Sequence, residues 1–327
     1  MKTLIRDVCR RARAIPLADR VVQKFIRAWF HAPSEHDVAL DDIFQRRYAF
    51  PFPPTHYYSP LPDIAAVKRN LRRWYKQSET PGMDWNLPGQ LKLASELERF
   101  VTEAQSLPPF SKVTAGGFGP GYGEVEAYLL YMMLRHFKPA RFIEVGSGVS
   151  TFYALTALRV NQEKDGIASK VTCIEPYPND TLRELAHSNA VDLQDREVQD
   201  VELATFQALS ANDVLFIDSS HVSKKDSDVD FLYLEVLPRL GRGVIVHIHD
   251  IPLPMPGIPL EHSLFDMTLF WNETALVKAF LMFNSAFQVI QCQSQLHYVK
   301  PEVVKRLAPV YDSKTHFPAS LWLRRIA

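Results

Sequence analysis

The fold of this protein is decided by residues 141–151, which read RFIEVGSGVST. The apolar run at the start of this stretch predicts a buried strand. A Gly-x-Gly turn follows at Gly146 and Gly148, and the small and apolar residues from Thr151 to Leu158 predict a helix. A strand, a glycine turn and a helix in this order are typical of sites for nucleotide-like ligands in α/β proteins, because glycine lets the backbone turn sharply and lets a ligand approach closely.

Two features separate this turn from a dinucleotide-binding turn. The dinucleotide fingerprint requires Gly-x-Gly-x-x-Gly, whereas Thr151 occupies the position of the third glycine. Glu144 lies two residues before the first glycine, and a carboxylate there would repel a pyrophosphate. We therefore expect the loop to bind a cationic or zwitterionic ligand.

The Glu-x-Gly-x-Gly pattern resembles the first motif of the class I S-adenosyl-L-methionine (SAM) dependent methyltransferases. The resemblance implies that the loop lies against the methionine moiety of SAM, which is a sulfonium cofactor. It assigns to cofactor binding Glu144, Gly146, Ser147, Gly148, Ser150 and Thr151.

The balanced charge of the chain argues against nucleic acid as an obligatory partner. Its 327 residues include 37 Lys and Arg against 37 Asp and Glu, whereas binding to phosphates favours a basic surface. The first thirty or so residues are an exception, since they are rich in Lys and Arg. They predict a basic amphipathic helix whose charged face is either solvated or bound to a membrane surface or an acidic partner.

The cysteines and the apolar runs bear on the compartment. Cys9, Cys173 and Cys292 are too few and too scattered for a disulfide framework or a zinc site. Charges interrupt every apolar run near the N-terminus, and no apolar stretch is long enough to span a bilayer. We therefore expect a cytoplasmic protein with no membrane span. The sequence does not set the oligomeric state, and an oligomer is compatible with it.

Two regions are predicted, residues 1–110 and residues 111–327. The first holds helical pieces and the stretch FPFPPTHYYSPLPD at residues 50–63, which can be neither a helix nor a central strand. This stretch is either a linker or an ordered cap, and its aromatic rings favour the cap. The second alternates strands with helices, which is typical of a parallel sheet with crossover helices. The predicted fold class is α/β, with a Rossmann-like, mostly parallel sheet covered by helices on both faces. The resemblance to class I methyltransferases implies seven strands with a late hairpin.

The strands and helices of the second region can be placed along the sequence. The predicted strands are Phe142–Val145, Lys170–Ile174, a short one near Glu197–Gln199, Val214–Ile217, Val244–Ile248, Phe287–Gln291 and Leu321–Arg325. The other predicted helices are Glu124–Phe137, Asp226–Leu237 and Glu273–Asn284.

Acidic residues follow three of these strands, and ligands of open α/β sheets bind beyond the carboxyl ends of the strands. Glu175 follows the second strand and matches the family's ribose-binding carboxylate, which can accept hydrogen bonds from both ribose hydroxyls. Asp200 and Val201 follow the third strand, where the family usually carries a residue that contacts the adenine amino group. Asp218, after the fourth strand, completes the predicted cofactor set. A solvated loop carboxylate is the alternative for Glu175 and for Asp200.

Proton-transferring and metal-binding residues follow the fourth and fifth strands. These strands end in DSSH at residues 218–221 and in HIHD at residues 247–250. Because the two strands are neighbours in a parallel sheet, we expect the side chains at their ends to lie close together. Because side chains alternate along a strand, His247 and His249 point to one face. In the related magnesium-dependent O-methyltransferases an acidic residue follows strand four and an acidic pair follows strand five. Asp218 matches the first position, but a histidine precedes Asp250 at the second, and this ligand set suits Zn, Fe, Mn or Ni better than magnesium.

Three interpretations of this group remain open. His221 or His249 is a general base, with Asp218 or Asp250 orienting it. Alternatively, Asp218, His221, His249 and Asp250 hold a divalent metal that lowers the pKa of the acceptor. The third interpretation is a structural role, with the histidines hydrogen-bonded below the site, and it fits His247 best because this residue lies deeper in the strand.

Aromatic and proline-rich segments predict a small-molecule acceptor pocket. The apolar loop IPLPMPGIP at residues 251–259 leaves the sheet beside the predicted site. The segment around Tyr57 and Tyr58 and the loop from Phe118 to Tyr122 can close over the same face, although the same aromatics can instead be core.

Motifs spread over most of the chain resemble a bacterial group of uncharacterised small-molecule methyltransferases with an N-terminal extension. They are YSPLPD at residues 58–63, the motif at residues 144–151, FIDSSH at residues 216–221, VHIHDI at residues 246–251 and SLWLRR at residues 320–325. The resemblance implies a SAM-dependent methyltransferase that acts on oxygen or nitrogen of a small molecule. A metal-dependent iron oxygenase or hydroxylase on the same fold, and a non-catalytic SAM-fold partner protein, are the alternatives.

Overall fold

The computed structural model of the protein describes residues 54–255, 262–267 and 269–327. The described residues divide into two compact units, one with residues 54–74 and part of 264–270, and the other with the rest. The first unit contains helices α1 (Ile64–Arg69) and α2 (Leu71–Trp74). The predicted basic helix and Cys9 lie outside the described residues. The region boundary near residue 110 and the aromatic cap stay predictions.

A seven-stranded sheet forms the centre of the second unit. Its strands are β1 (Arg141–Val145), β2 (Lys170–Ile174), β3 (Asp192–Gln194), β4 (Val214–Ile217), β5 (Ile245–Ile248), β6 (Phe287–Cys292) and β7 (Leu321–Arg325). Their order is β3-β2-β1-β4-β5-β7-β6, in which the first five strands pair in parallel and β7 pairs antiparallel with β5 and β6. The strand order reverses between β1 and β4, so the fold has its binding crevice at the carboxyl ends of these two strands.

Helices cover both faces of this sheet, as predicted. They are α3 (Leu87–Leu97), α4 (Val101–Gln105), α5 (Phe110–Val113), α6 (Glu124–Phe137), α7 (Val149–Asp165), α8 (Asp180–His187), α9 (Leu203–Gln207), α10 (Asp228–Phe231), α11 (Glu273–Leu281), α12 (Gln293–Val299) and α13 (Pro301–Leu307). Helix α10 continues as a π-helical turn (Leu232–Val236) and a 3₁₀ turn (Leu237–Arg239). None of the helices in the described ranges is long and apolar enough to cross a membrane.

The central strands are buried on both faces because each face packs against helices. Phe142 and Phe216 join the core formed with α6 and α7. Ile143 and Ile217 join a second core, which includes α11 and the turns after α10. This alternation places the side chains of β4 and β5 in two layers.

Three predictions about the elements need correction. The third strand is Asp192–Gln194, whereas the predicted segment contains the start of a 3₁₀ turn (Val198–Asp200). This strand has three half-buried residues at the sheet edge and therefore lacks an apolar run that would mark it in the sequence. The helix predicted from Asp226 begins at Asp228, where Ser227 caps it by accepting a hydrogen bond from Asp230 N. Strands β6 and β7 are antiparallel neighbours, but α12 and α13 lie between them, so the connection is no tight hairpin.

Candidate functional site

A cleft of about 470 Å³ opens at the carboxyl ends of β1, β2 and β4. Its lining residues are Val145, Gly146, Ile174, Glu175, Pro176, Tyr177, Glu197, Val198, Gln199, Asp218, Ser219, Ser220, Lys224, Asp226, Ser227 and Asp228. The lining includes five carboxylates and one ammonium group. A surface of this charge favours a cationic or zwitterionic ligand and disfavours a phosphate.

The glycine turn forms one wall of this cleft. Gly146 has φ +78° and donates a backbone hydrogen bond to Ile174 O at 3.0 Å. A Cβ atom at this position would overlap the carbonyl oxygen of Asp218. Glycine is therefore needed here for two reasons, the left-handed backbone and the close approach of Asp218 in the segment that follows β4.

Glu144 lies beneath the turn and is fully buried. Its carboxyl group accepts hydrogen bonds from Ser150 Oγ at 2.7 Å and from Thr151 Oγ1 at 2.6 Å. Thr151 Oγ1 in turn accepts a hydrogen bond from Gly148 N at 3.2 Å. These contacts tie the end of β1 to the first turn of α7. Among the residues predicted to bind the cofactor, these four hold the shape of the loop, and their direct contact with a ligand stays a prediction.

The buried carboxyl group makes stability depend on pH. Burial raises the pKa of Glu144 from its usual 4.5 to about 7, although the hydroxyl donors oppose this shift. A carboxyl group with a raised folded-state pKa stabilises the fold fully below its unfolded pKa, and this contribution is lost as the pH rises through the folded value. For Glu144 the window therefore extends from 4.5 to about 7.

We expect Glu144→Gln to abolish this pH dependence, because glutamine does not ionise. Relative to the variant, the wild-type free energy of unfolding should fall by about 2–3 kcal/mol between about pH 5 and about pH 8. Urea denaturation of both proteins across this range measures the difference, in which other titrating groups cancel. Parallel pH profiles would contradict the assignment.

Glu175 lies beside the glycine turn in the lining of the cleft. Its carboxylate accepts hydrogen bonds from Ser147 N at 3.2 Å and from Tyr177 N at 2.8 Å. Asp200 and Val201 do not line the cleft. The lining residues from this part of the chain are Glu197, Val198 and Gln199. Binding roles for Asp200 and Val201 stay predictions.

The four predicted catalytic residues lie together beside the cleft, and we call them the His/Asp cluster. Asp218 Oδ1 lies 3.3 Å from His221 Nε2 and 3.2 Å from His249 Nδ1. Asp250 Oδ2 lies 3.7 Å from each of these nitrogens. Asp218 belongs to both the cleft and the cluster, so the two sites share a wall.

Two buried glutamates that were not predicted from the sequence complete the surroundings of the His/Asp cluster. Glu273 Oε2 lies 2.7 Å from His221 Nδ1, and Glu126 Oε2 lies 3.4 Å from His249 Nε2. Each glutamate therefore faces the imidazole nitrogen that points away from the cluster. A signal is present in the sequence, since both are acidic residues in the first turn of largely apolar helices, but acids are also common there for local reasons.

These carboxylates control the charge of the two imidazoles. Burial alone would lower the pKa of His221, but hydrogen bonds with Asp218 and Glu273 outweigh it and raise the pKa to about 9. Burial acts likewise on His249, yet the charges of Asp218 and Glu126 raise its pKa well above the usual range. These carboxylates therefore favour the protonated form of both imidazoles, and an imidazole of this cluster can act as a general base only after it has released its proton.

His247 lies deeper and on the same face as His249. Its ring stacks on Phe216 at 4.2 Å, and its Nε2 lies 3.1 Å from Ser320 Oγ and 3.3 Å from Tyr122 OH. It is fully buried, and burial holds its pKa well below the usual range. A neutral, stacked imidazole in this position supports the packing of β5.

The acceptor side of the site is partly described. Trp271 lies against the His221 ring at 4.5 Å and is 41% exposed. Phe118 packs edge-on against Phe152 at 5.5 Å, and its carbonyl oxygen lies close to Gly148. Residues 256–261 of the proline-rich loop lie outside the described residues. Closure of the site by the segment around Tyr57 and Tyr58 stays a prediction.

Comparison with known proteins agrees with this geometry. Residues 143–251 match a family model described as a methyltransferase domain. A protein of Archaeoglobus fulgidus, described as uncharacterized, is 33% identical over 173 residues, which are 49% of this chain and 75% of that protein.

Solved structures of O-methyltransferases are also similar to this chain. An O-methyltransferase of Streptomyces achromogenes involved in tomaymycin synthesis, in complex with SAM, is 15% identical, with 80% of this chain and 96% of that chain covered and a TM-score of 0.38. An O-methyltransferase of Bacillus cereus in complex with S-adenosylhomocysteine (SAH) is 12% identical, with 72% of this chain and 100% of that chain covered and a TM-score of 0.38.

Three independent features therefore converge. The sheet has parallel strands β1–β5 and an antiparallel β7 between β5 and β6. The glycine turn follows β1 and opens onto an acidic cleft, and the matched methyltransferase domain spans β1 to the end of β5. The chain belongs to the class I SAM-dependent methyltransferase family and is a SAM-dependent methyltransferase.

Proposed function

We propose that the enzyme methylates an oxygen or nitrogen atom of a small molecule that lies against the His/Asp cluster. The observation that carries this proposal is the position of Asp218, which lines the cofactor cleft and also contacts both imidazoles of the cluster. A group held by the cluster is therefore adjacent to a group held by the cleft. Bound SAM supplies an electrophilic methyl group on a sulfonium centre.

The residues of the cleft fit this cofactor. Gly146 carries no side chain where the turn approaches Asp218, and Glu175 presents a carboxylate from the end of β2. The excess of carboxylates suits the positive charges of a sulfonium and an ammonium group. Glu175 retains lone pairs beyond its two backbone contacts, so it can also accept from ribose hydroxyls.

Methyl transfer relies mainly on positioning and on exclusion of water. The glycine turn is a rigid wall for the cofactor, because Glu144 ties it to α7. The His/Asp cluster is a rigid wall for the acceptor, because two buried glutamates hold its imidazoles. An oxygen or nitrogen acceptor must also lose a proton, and the His/Asp cluster is the group of proton-binding residues nearest the cleft. We assign acceptor deprotonation to this cluster.

We expect Glu175→Gln to weaken SAH binding roughly 10–100-fold, because charged hydrogen bonds contribute about 1.5–3 kcal/mol. The substitution keeps the size of the side chain but removes its charge. Isothermal titration calorimetry with SAH measures the effect, and Glu184→Gln, on the exposed surface of α8, is the matched control. Equal affinities in the two variants would remove Glu175 from the cofactor site.

Activity itself can be tested before the acceptor is identified. The enzyme is incubated with methyl-labelled SAM and a panel of phenols, carboxylic acids and amines, and labelled organic products are counted. Transfer to a small molecule supports the proposal. Binding of SAM with label appearing only on added proteins or nucleic acids would overturn the small-molecule part.

A metal-dependent oxygenase is a second candidate, because two histidines and a carboxylate converge as in non-haem iron enzymes. Turnover that needs Fe²⁺ and consumes O₂ would favour the oxygenase. Methyl transfer under anaerobic conditions would show that the reaction does not require oxygen. A cytoplasmic location stays a prediction.

A further inference from the structure

We propose that the His/Asp cluster is a binding site for a divalent transition-metal ion such as Zn²⁺, Mn²⁺ or Fe²⁺, with Mg²⁺ bound more weakly. Asp218, His221, His249 and Asp250 would be its ligands, and Glu126 and Glu273 would be positioning residues for the two imidazoles. The use of the ion for acceptor deprotonation rests on the proposed function, whereas the binding of the ion does not.

The spacing of the facing atoms supports a single ion. Two ligand atoms at about 2.1 Å from a tetrahedral ion lie about 3.4 Å apart. The four distances from the two carboxylates to the two facing nitrogens are 3.2, 3.3, 3.7 and 3.7 Å. The ligand atoms of Asp218, His221 and His249 all lie within 4.8 Å of one another. Three donors therefore surround a space of the size of one small cation, and Asp250 Oδ2 borders it at 3.7 Å from both imidazole nitrogens.

The orientation of the imidazoles is the second observation. His221 faces the cluster with Nε2 and Glu273 with Nδ1, whereas His249 faces the cluster with Nδ1 and Glu126 with Nε2. In a neutral imidazole, the nitrogen near the glutamate would carry the hydrogen and donate it. The nitrogen that faces the cluster would then present its lone pair. Metal-binding histidines in proteins are oriented by a carboxylate in this way.

The two positioning glutamates are themselves held in place. Glu273 accepts hydrogen bonds from Ser219 Oγ at 3.0 Å and from Tyr233 OH at 2.8 Å. Glu126 accepts hydrogen bonds from Ala319 N at 3.0 Å and from Ser320 Oγ at 2.8 Å. Both side chains are more than nine-tenths buried. The surroundings therefore fix the direction of each imidazole before any ion binds.

Backbone strain at two of the four residues is a third observation. His221 has φ +60° and Asp250 has φ +54°, in the left-handed region that side chains with a Cβ rarely adopt. The backbone at His221 is held there by hydrogen bonds that its carbonyl oxygen accepts from Asn272 N at 3.0 Å and Glu273 N at 3.2 Å. Strain of this kind persists where the surrounding structure imposes it, and it is common at ligand sites.

The ligand types select the class of ion. Magnesium prefers six oxygen ligands and retains water. Two imidazole nitrogens with two carboxylate oxygens instead suit zinc, manganese and iron. Four carboxylates, those of Asp218, Asp250, Glu126 and Glu273, surround the two imidazoles, so the site attracts a cation.

The test is calorimetric titration of chelator-treated full-length protein with ZnCl₂, MnCl₂ and MgCl₂. We expect one Zn²⁺ or Mn²⁺ per chain, with Mg²⁺ at least about 10-fold weaker. His221→Ala should lose the high-affinity ion, and His316→Ala, which changes a histidine outside the cluster, should retain it. Glu273→Gln leaves all four ligands in place and should weaken metal binding roughly 10–100-fold.

Each outcome decides between the proposals. Wild-type protein that binds none of the three ions, or His221→Ala protein that binds them as tightly as wild type, overturns the metal site. SAH titration of the same samples reports on the cofactor cleft, so intact SAH binding with no metal binding refutes this inference alone. If His221→Ala fails to fold, the visible absorption bands of bound Co²⁺ in wild type and in Glu273→Gln decide instead. Identical Co²⁺ spectra and affinities in those two proteins would contradict the positioning role.

Discussion

Gly146→Ala is expected to reduce SAH affinity by more than about 100-fold and to lower the free energy of unfolding by about 2–5 kcal/mol. Two costs combine at this position. Alanine must adopt a φ of +78°, and its Cβ must displace the carbonyl oxygen of Asp218. Asp218 is the residue that the cleft and the His/Asp cluster share. Any shift that relieves this overlap moves the turn after β1 away from the segment that follows β4. Calorimetry with SAH and urea denaturation measure the two effects.

The chain contains a matched control for this substitution. Gly166, the residue that ends α7, has φ +71°, and a Cβ there would meet no atom within 4 Å. Gly166→Ala therefore carries the backbone cost of about 1–2 kcal/mol without the overlap. It should bind SAH as wild type does. If Gly146→Ala binds SAH as tightly as Gly166→Ala, the glycine turn does not shape the cofactor cleft.

His249→Ala is expected to lower the free energy of unfolding by about 3–5 kcal/mol at neutral pH in the presence of a chelator. The imidazole lies 3.4 Å from Glu126 and 3.2 Å from Asp218, and both carboxylates lose a charged partner when it is removed. The charge of His249 holds the pKa of each of these carboxyl groups below its usual value against the effect of burial. Without the imidazole, charged carboxylates remain buried and uncompensated.

His297→Ala is the matched control for this second substitution. His297 is also buried, but its Nδ1 contacts the hydroxyl of Tyr311 at 2.7 Å rather than a carboxylate. Its removal costs a neutral hydrogen bond and some packing, and we expect the smaller loss. Urea denaturation of the two variants provides the comparison. An equal or smaller loss for His249→Ala would show that the cluster is not an ion-paired network.

The part of the fold that could be predicted from sequence is the part with strong local signals. Strands β1, β2 and β4 are apolar runs bounded by turns, and their observed bounds match the predicted ones to within one residue. Helix α6 begins and ends as predicted. The glycine turn is visible in the sequence because the backbone at Gly146 and its close approach to Asp218 require glycine.

The elements that were misplaced lack such signals. Strand β3 pairs through only three residues at the edge of the sheet, so its sequence does not differ from a polar loop. The segment after β3 contributes Glu197, Val198 and Gln199 to the lining of the cleft, and a contact of Asp200 with adenine stays a prediction.

The candidate site shows the same limit. Asp218 and His249 could be placed together because neighbouring strands end at the same edge of a sheet. Glu126 and Glu273 could not, since they are separated from their histidine partners by 123 and 52 positions in the chain. Their role depends on how α6 and α11 pack against the sheet, which no local pattern records.

The measurement that tests the account most directly is calorimetric titration of the chelator-treated wild-type protein with SAH. We expect binding in the micromolar range at one site per chain, with no metal required, because the cleft shares only Asp218 with the His/Asp cluster. Absence of SAH binding in a protein that is folded by circular dichroism, both with and without added Zn²⁺, would contradict the assignment of the cleft to SAM.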